Sequence, residues 1–344
     1  MRIQSLSRAG LVALAAALAV AASVTAAAGG VEAGTQSGAV GPVTAAVPTA
    51  SAPCGTGAAA PQTYAHVAMI VFENKPLKKI VGNTTDAPYL NSLIQACSYS
   101  KNDQSLSATS LTNYVALTSG YTGCKTANVD GVCTTPLEIT SNKDPKTWPQ
   151  ASKSIFELMG SAAVEWAESM PANCSLSSRG DFVVNHTPYQ YYTRTEANLC
   201  KSYSRPFPSD ATQMLSAGFN LIIPNKPHIM HLVPNTTVAQ RIRNGDNWAR
   251  SVVPLLLNSS QYQSGNTAII ITWDEGNKSN FYVPLIVITP STQARAVSSV
   301  AYNHYSVLKG IQQMVGPTAS PLLGHAGDGA VNSIRDDSVF RLKP

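Results

Sequence analysis

Four short apolar runs restrict what this chain can fold into more than any other feature of its sequence. They are rich in β-branched residues and contain few polar ones. Such runs indicate strands that are buried on both faces, which is typical of a parallel sheet covered by helices. The predicted strands are residues 65–72, 219–223, 267–273 and 283–289.

Segments with helical character lie between these strands. The predicted helices are residues 87–96, 154–159, 246–257 and 305–315. We expect Asp246 to cap the third of them and Pro254 to kink or shorten it. Strands that alternate with helices predict an α/β protein, a three-layer α/β/α sandwich with a mostly parallel central sheet.

The amino terminus has the composition of an export signal. Arg2 and Arg8 precede an apolar stretch over residues 11–22, and small residues up to Ala28 offer cleavage sites. Because the apolar stretch is too short to span a bilayer comfortably, a signal peptide over residues 1–28 is favoured over an uncleaved membrane anchor.

The rest of the chain divides into two predicted parts. Residues 29–60 are mostly Ala, Gly, Thr, Val, Pro and Ser, which predicts a flexible leader. Residues 61–344 are predicted to form a single domain. Since no segment after the signal is a continuous apolar run of membrane-spanning length, we expect a secreted protein without an integral membrane segment.

The six cysteines agree with export. All of them follow the predicted signal, and an even number in an exported chain favours disulfide bonds over free thiols. Cys124 with Cys133 would close a short loop and is the first expected pair. The other two expected pairs, reached by elimination, are Cys54 with Cys97 and Cys174 with Cys200.

The charge balance argues against a nucleic-acid partner. The chain has 24 Lys and Arg against 19 Asp and Glu, and charged residues make up 12% of it. It contains no run of Lys and Arg, whereas nucleic-acid-binding proteins usually concentrate basic residues in a patch.

Polar side chains follow two of the predicted strands at the point where each strand ends. Glu73 and Asn74 follow the first strand, and Asp274 and Glu275 follow the third. Ligands of open α/β sheets bind at the carboxyl ends of strands, and carboxylate and amide oxygens suit Mg²⁺, Ca²⁺ or Mn²⁺, with Zn²⁺ also possible. The four side chains therefore predict one divalent metal site. The alternative is that the acids only begin turns or cap helices.

A run of hydroxyl residues precedes another helical segment, which starts near Ser110. A serine at a helix amino terminus meets unpaired N–H groups and the positive end of the dipole, which favours phosphate and lowers the cost of an alkoxide. Ser110 is therefore a candidate nucleophile, and the alternative is an ordinary helix cap. The hydroxyls that compete for the role are Ser105, Ser107, Thr109 and Thr112.

Four of the six histidines fall in polar loops beside predicted strand or helix ends. Imidazoles in such places can donate to phosphate oxygens or protonate a leaving group. The four are His186, His228, His231 and His304. The remaining two, which we interpret as surface residues, are His66 and His325.

Taken together, these segments resemble the phosphoesterase family that contains bacterial acid phosphatases and phospholipases C, within the alkaline-phosphatase-like superfold. Nine segments match in order. They are VFEN (71–74), SLTNYVALTSG (110–120), WAESMPANC (166–174), NHTPYQYY (185–192), FNLIIPN (219–225), GDNW (245–248), IITWDEG (270–276), VPLIVITP (283–290) and YNHYSVLKGI (302–311). The short length and the NYVALTSG segment make the chain more similar to the small secreted acid phosphatases than to the longer phospholipases C.

The resemblance implies a role for each matching residue. Ser110 matches the family's nucleophile, and Asn113 matches a phosphate-binding asparagine. His186 and His231 match catalytic histidines near the phosphate, and the further candidates for phosphate binding are His228 and His304. The four residues that match metal ligands are Glu73, Asn74, Asp274 and Glu275.

The chain departs from the family pattern in three places. Lys75 and Pro76 follow the Glu-Asn pair, where the family usually has His or Arg and then Ser. Thr109 and Thr112 replace the prolines that commonly flank the nucleophile. Residues 228–231 lack the acid of the usual Asn-Asp-x-His pattern. The alternatives are that His228 replaces it, that the choice of substrate has changed, or that activity is reduced or lost.

These features predict a secreted, metal-dependent acid phosphatase that hydrolyses phosphomonoesters through a phosphoserine intermediate. Its expected partner is a small phosphate ester or a phospholipid, and its expected cofactor is one divalent cation. The first alternative is a phospholipase C, which would cleave phosphodiesters with the same residues. The second is a non-catalytic secreted binding protein that uses the polar, Tyr-rich stretch 189–192 as its surface.

Overall fold

The computed structural model describes residues 46, 48–194, 197–231 and 233–344. The predicted signal peptide and the first part of the predicted leader lie outside these residues. In the described part of the chain the strands are β1 (His66–Phe72), β2 (Ser98–Gln104), β3 (Cys124–Ala127), β4 (Cys133–Pro136), β5 (Ala163–Ala167), β6 (Ser204–Pro206), β7 (Phe219–Ile223), β8 (Thr267–Trp273), β9 (Tyr282–Ile288), β10 (Ala296–Ser298) and β11 (Tyr302–Asn303). The α-helices there are α1 (Leu77–Ile80), α2 (Pro88–Ala96), α3 (Ser110–Ser119), α4 (Ile155–Met159), α5 (Ala197–Tyr203), α6 (Val238–Leu257), α7 (Ser260–Gln263) and α8 (His304–Val315).

Nine of the described strands form the central sheet. Their order is β10–β2–β9–β8–β1–β7–β5–β6, and β11 also pairs with β2. Every pairing in this sheet is parallel except those that β9 makes with β8 and β2. The strands predicted from the apolar runs are all present: β7 and β8 have the predicted bounds, β1 begins one residue later than predicted, and β9 is shifted by one residue at both ends.

Helices cover both faces of this sheet. On one face α3 and α8 pack against Val67 and Met69 of β1, and on the other α2 and α6 pack against Ala68 and Ile70. Because alternate residues of one strand enter opposite cores, the strand has no polar face, which explains its uninterrupted apolar run. The predicted three-layer α/β/α sandwich with a mostly parallel central sheet is confirmed.

The start of α6 corrects a prediction. The helix begins at Val238, not near Asp246, because Thr237 and Gln240 form a capping box. Gln240 N–H donates to Thr237 Oγ1 at 3.1 Å, and Thr237 N–H donates to Gln240 Oε1 at 2.8 Å. These reciprocal hydrogen bonds satisfy two of the unpaired N–H groups at the helix terminus.

Asp246 caps a different helix from the one expected. Its carboxylate accepts from the N–H groups of Tyr89 at 3.1 Å and Leu90 at 2.8 Å, in the first turn of α2. A carboxylate in this place stabilises a helix through both the hydrogen bonds and the dipole. Pro254 lies inside α6, which continues to the predicted end at Leu257, so Pro254 does not shorten the helix.

The three predicted disulfides are confirmed. Cys124–Cys133 ties β3 to β4, which form a separate antiparallel pair. The other two bonds are Cys54–Cys97 and Cys174–Cys200. Three disulfides are compatible with an exported protein. Among the described residues, no helix combines the length and the apolar character that crossing a bilayer requires.

The end of the predicted leader is attached to the folded domain. Cys54 is bonded to Cys97, and Gly55 N–H donates to the Thr292 carbonyl at 2.9 Å. Contacts with the domain therefore begin before the predicted boundary at Pro61. The division of the whole chain into a signal peptide, a leader and one domain stays a prediction.

The Tyr-rich stretch is part of the core. Tyr189 and Tyr191 are each 1% exposed, and the Tyr189 ring stacks on Phe156 with centroids 4.2 Å apart. This burial removes the surface on which the non-catalytic alternative depended.

Asp103 on β2 makes the stability of this fold depend on pH. It is fully buried, and burial raises its pKa to about 7. The folded protein therefore keeps a proton that the unfolded chain releases, so stability falls as the pH rises from about 4 to about 7. The shift corresponds to at most about 4 kcal/mol. We expect Asp103→Asn to reduce this slope in urea unfolding.

The test compares the pH dependence of stability in the variant, in a control variant and in the wild type, because a second buried acid contributes to it. Glu165, whose pKa burial also raises to about 7, adds to the same slope, so the slopes of variant and wild type must be compared. Asp130→Asn, which removes an exposed carboxyl, should leave the slope unchanged. Equal slopes for Asp103→Asn and the wild type would contradict the burial argument.

Candidate active site

The register between β1 and β8 brings two of the predicted metal ligands together. Phe72 pairs with Trp273 in this parallel ladder, so Glu73 and Asp274 follow at the same edge of the sheet. Asp274 N–H donates to the Phe72 carbonyl at 2.9 Å, which extends the ladder by one step. Two carboxylates are therefore held at the carboxyl ends of adjacent strands, where α/β folds bind their ligands.

Asn74 and Glu275 are the next residues after each strand, and their side chains meet. Asn74 N–H donates to Asp274 Oδ1 at 3.0 Å, and the Asn74 side-chain amide donates to Glu275 Oε1. Asn74 has a φ of 46°, in the left-handed region, which costs about 1 kcal/mol for a residue other than glycine. The structure thus brings all four predicted metal ligands into one cluster.

Ser110 is the first residue of α3 and faces this acidic cluster. Thr109 is the N-cap, so Ser110 is not the ordinary helix cap of the alternative interpretation. Ser110 Oγ donates to Glu73 Oε2 at 3.0 Å. The hydroxyl therefore lies both at the positive end of the α3 dipole and against a buried carboxylate.

Three of the four competing hydroxyls are engaged elsewhere. Ser105 Oγ donates to the Phe281 carbonyl at 3.2 Å, and Ser107 Oγ accepts from Thr109 N–H at 3.1 Å. The Thr112 hydroxyl lies 3.5 Å from a backbone carbonyl oxygen. Of these candidates, Ser110 is the one whose hydroxyl contacts the acidic cluster.

Two cavities meet at Ser110. Their volumes are about 520 Å³ and about 310 Å³, and both are lined by Ser110, Asn142 and His231. The larger cavity also has Glu275 in its wall, and the smaller one has His186. A substrate that occupied either cavity would therefore contact the serine hydroxyl.

Asn142 is a site residue that sequence reasoning missed. Its Nδ2 donates to Ser110 Oγ at 3.4 Å, and its Oδ1 accepts from Leu111 N–H at 3.0 Å. It thereby fixes the serine relative to the unpaired N–H groups at the start of α3. Asn142 lies in a polar loop between β4 and α4 with no periodic pattern, so no local signal in the sequence marks it.

His186 lies beside Glu73 on the smaller cavity. Its Nε2 is 3.3 Å from Glu73 Oε1 without the alignment of a hydrogen bond, and its ring stacks on Tyr114 of α3. Burial and the charge of His231 lower the pKa of His186 to about 3. The contact therefore places a neutral imidazole beside the carboxyl.

His231 lines both cavities, in a region of positive charge. Burial, Lys75 and Arg241 lower the pKa of His231 to about 4. The Lys75 ammonium donates to the Met230 carbonyl at 2.6 Å and to the Asn74 carbonyl at 3.0 Å. The lysine that departs from the family pattern thus links the end of β1 to the loop that carries His231.

The acidic cluster is electrostatically unfavourable without a cation. Burial, followed by the charges of Asp274 and Glu275, raises the pKa of Glu73 well above its usual range, and burial with Asp274 raises that of Glu275. Four buried oxygens have no hydrogen-bond partner among the described residues: Glu73 Oε1, Asn74 Oδ1, Asp274 Oδ2 and Glu275 Oε2. One unpartnered oxygen from each predicted ligand is a donor set that suits a hard divalent cation.

The oxygen ligands of the acidic cluster suit a cation, but the side chains are not arranged around a common point. Within the described ranges, no group of three or more His, Cys, Asp or Glu side chains has the arrangement of a metal site as it stands. The hydrogen bond from the Asn74 amide occupies Oε1 of Glu275 and leaves the Glu275 Oε2 and Asn74 Oδ1 of the donor set without partners.

Two of the predicted phosphate ligands bond to backbone groups next to the site and do not line its cavities. The Asn113 carboxamide oxygen accepts from Leu106 N–H at 3.0 Å and Ser107 N–H at 3.1 Å, so it braces the loop before Ser110. His304 is fully buried at the start of α8, with its Nε2 2.6 Å from the Asp274 carbonyl oxygen. The structure therefore brings neither side chain into the cavities at the serine.

His228 also lies apart from the serine. Its Nδ1 is 2.9 Å from Glu168 Oε2, and the pair lines a separate cavity of about 500 Å³ against Trp248 of α6. The loop after β7 turns His228 to this side and His231 to the other. Phosphate binding by His228, Asn113 and His304 stays a prediction.

The family match defines the class of protein, a phosphoester hydrolase. The acids at the ends of adjacent strands and the serine at a helix start lie where α/β folds bind their ligands. The model of the Phosphoesterase family matches residues 83–316, and the chain belongs to that family. The family recognised in the sequence is thereby confirmed.

The chain is also similar to one curated relative and, in its fold, to solved structures. A phosphatidylinositol-3-phosphatase from Mycobacterium tuberculosis (strain ATCC 25618 / H37Rv) is 28% identical in an alignment of 271 residues that covers 76% of this chain and 80% of the relative. The lipoteichoic acid synthase LtaP from Listeria monocytogenes has a TM-score of 0.50 at 8% identity, over 77% of this chain and 75% of that one. A protein in the alkaline phosphatase superfamily from Vibrio parahaemolyticus has a TM-score of 0.48 at 11% identity, over 74% and 67%. At such identities the structural likeness concerns the fold alone.

Proposed function

We propose that this phosphoester hydrolase is a secreted, metal-dependent acid phosphatase that uses Ser110 as its nucleophile on phosphomonoesters. The observation that carries the proposal is the 3.0 Å hydrogen bond from Ser110 Oγ to Glu73, at a helix start where two cavities meet. The helix terminus favours phosphate oxygens, and the carboxylate can accept the hydroxyl proton.

The residues at the site account for both halves of the reaction. Ser110 Oγ forms a bond to phosphorus as the bond to the leaving oxygen breaks, and the hydroxyl proton moves to Glu73 Oε2. His231 donates a proton to the leaving alkoxide. Water then attacks the phosphoserine, inorganic phosphate leaves, and Ser110 recovers its proton. Asn142 and His186 are placed to donate hydrogen bonds to the non-bridging oxygens.

The metal part of the proposal is supported by the unpartnered oxygens of the acidic cluster. Phosphoesterases of the alkaline-phosphatase type generally use divalent metals. The residues that would hold one here are Glu73, Asn74, Asp274 and Glu275. A bound cation would neutralise charge on a phosphoryl oxygen and favour the ionised form of the serine, which supplies several kcal/mol of transition-state stabilisation.

The relative from Mycobacterium tuberculosis supports a phosphatase over a phospholipase C. It carries the name phosphatidylinositol-3-phosphatase and matches three quarters of this chain. A phosphate monoester, on a small molecule or on a phospholipid, is therefore the proposed substrate class.

Two chromogenic esters separate the alternatives. The mature protein should release p-nitrophenol from p-nitrophenyl phosphate, and addition of divalent cations to chelated protein should increase the rate. Faster release from p-nitrophenylphosphorylcholine would instead assign a phospholipase C. Hydrolysis of neither ester, nor of a wider panel, would contradict the proposed phosphatase.

His231 gives the proposed reaction an acidic pH dependence. With a pKa lowered to about 4, its imidazole gains a proton only as the pH falls. Protonation of an alkoxide leaving group should therefore accelerate from about pH 7 towards about pH 4, whereas p-nitrophenolate needs little protonation. We expect the ratio of kcat for glycerol 2-phosphate to kcat for p-nitrophenyl phosphate to rise as the pH falls.

The variant His231→Gln should flatten this ratio. Its control is His325→Gln, which removes an exposed imidazole outside both cavities. If the ratio depended on pH equally in His231→Gln and the wild type, His231 would not be the proton donor.

A further inference from the structure

The larger cavity at Ser110 has a cationic wall built from three separate parts of the chain. Among its described lining residues there is one carboxylate, Glu275, which belongs to the proposed metal ligands. None of the ion pairs between described residues includes a basic residue of this wall. The cationic wall consists of Lys75 after β1, Lys79 on α1, Arg241 on α6 and Lys278 after β8.

Lys75 is the most unusual member of the cationic wall. It is 4% exposed, and its ammonium has two backbone carbonyls as its hydrogen-bond partners among the described residues. Burial of an ammonium without a carboxylate is costly, and neutral carbonyls offset only part of that cost. Arg241 lines the same cavity as Lys75 and brings a second positive charge to it. Like charges held together at a polar cavity create a place where an anion is stabilised.

We propose that the cationic wall binds a second phosphate of the same substrate molecule while Ser110 attacks the first. This inference rests on the proposed function. The cavity of about 520 Å³ extends from Ser110 to all four cations, so a small substrate with two phosphates can span it. The favoured substrates are therefore phosphate monoesters of polyols that carry another phosphate group on the same ring or chain.

The smaller cavity does not offer the same binding site. Its wall has one lysine, Lys226, together with the apolar side chains of Phe182, Val183 and Ile229. Because only the larger cavity has several cations among its described lining residues, the proposal places the second phosphate of the substrate there.

Two inositol phosphates isolate the contribution of the second phosphate. myo-Inositol 1,3-bisphosphate and myo-inositol 3-phosphate differ only in that group, and phosphate release from both can be measured. Because charge-assisted hydrogen bonds from Lys and Arg are among the strongest in proteins, we expect kcat/KM to be at least about tenfold higher for the bisphosphate.

The double variant Lys79→Gln with Arg241→Gln should bring the ratio of the two kcat/KM values close to one. Use of the ratio cancels any common loss of activity. The matched control is Arg243→Gln, which removes the same charge from the same helix. Arg243 pairs with Asp86 and does not line the cavity, so its removal should leave the ratio unchanged.

Each remaining outcome decides against a stated part of the proposal. Equal kcat/KM values in the wild type, or a preference that survives in the double variant, would overturn the second-phosphate site and leave the phosphatase intact. A third outcome is equal kcat/KM values for the two soluble esters but a higher kcat/KM for phosphatidylinositol 3-phosphate in phosphatidylcholine vesicles than for either of them. In that case the cationic wall would serve a membrane surface instead. No phosphate release from any of these esters would contradict the proposed function itself.

Discussion

Replacement of Ser110 by alanine is expected to reduce kcat for p-nitrophenyl phosphate by at least about a thousandfold, or about 4 kcal/mol of activation free energy. The change removes only the hydroxyl that contacts Glu73 and Asn142. Because Thr109 is the N-cap of α3 and Ser110 is not, the helix loses no cap. The midpoint of thermal unfolding should therefore stay close to that of the wild type.

A second measurement identifies the nucleophile directly. Acid quenching during turnover should trap phosphorylated wild-type protein, and peptide mapping should place the phosphate on Ser110. The matched control is Ser107→Ala, three residues earlier in the same segment, whose hydroxyl only accepts from Thr109 N–H. Near-normal hydrolysis by folded Ser110→Ala would show that another group attacks phosphorus.

The sheet could be predicted wherever a strand is apolar on both faces. β7 and β8 have the predicted bounds because every residue in them is buried. β2 shows the limit of this signal: its buried positions include Ser98, Ser100 and Asp103, so burial leaves no apolar pattern there. It is a strand because β9 and β10 pair with it, and the sequence of β2 itself does not indicate this.

The start of α6 had a readable signal of a different kind. Thr237 and Gln240 have the spacing of a capping box, but the apolar pattern between them and Asp246 is thin, since Arg241 and Arg243 interrupt it. The apolar pattern places the start of α6 near Asp246, whereas the capping residues place it at Val238. In this helix the local hydrogen bonds of the cap decide the boundary.

The site was predictable only to the extent that strand ends determine it. Glu73 and Asp274 follow residues that pair in register, so their meeting follows from the fold. Asn142, by contrast, reaches Ser110 from a loop, and the loop after β7 turns His228 towards Glu168. Loop conformations depend on packing between distant segments, which a single sequence does not express as a period or a spacing.

Removal of divalent metal is the second change with a large expected effect. In the metal-free protein the carboxyls of Glu73, Asp274 and Glu275 are buried together, and burial raises the pKa of each. Chelated protein should lose at least about a hundredfold in kcat, because charge neutralisation by a metal contributes several kcal/mol to the transition state. A cation at about a hundred times its Kd should stabilise the fold by about 2.7 kcal/mol.

Thermal unfolding with Ca²⁺, Mg²⁺, Mn²⁺ and Zn²⁺ added separately gives a readout that does not depend on turnover. Asp274→Asn keeps the shape of the side chain and removes one charge from the cluster, so the cation-dependent rise in Tm should disappear. Asp103→Asn is the matched control: it removes a fully buried carboxyl of the same sheet that lines neither cavity, and it should keep the rise. An equal rise in Asp274→Asn, or full activity of protein that mass spectrometry shows to contain no metal, would contradict a cation held by these four residues.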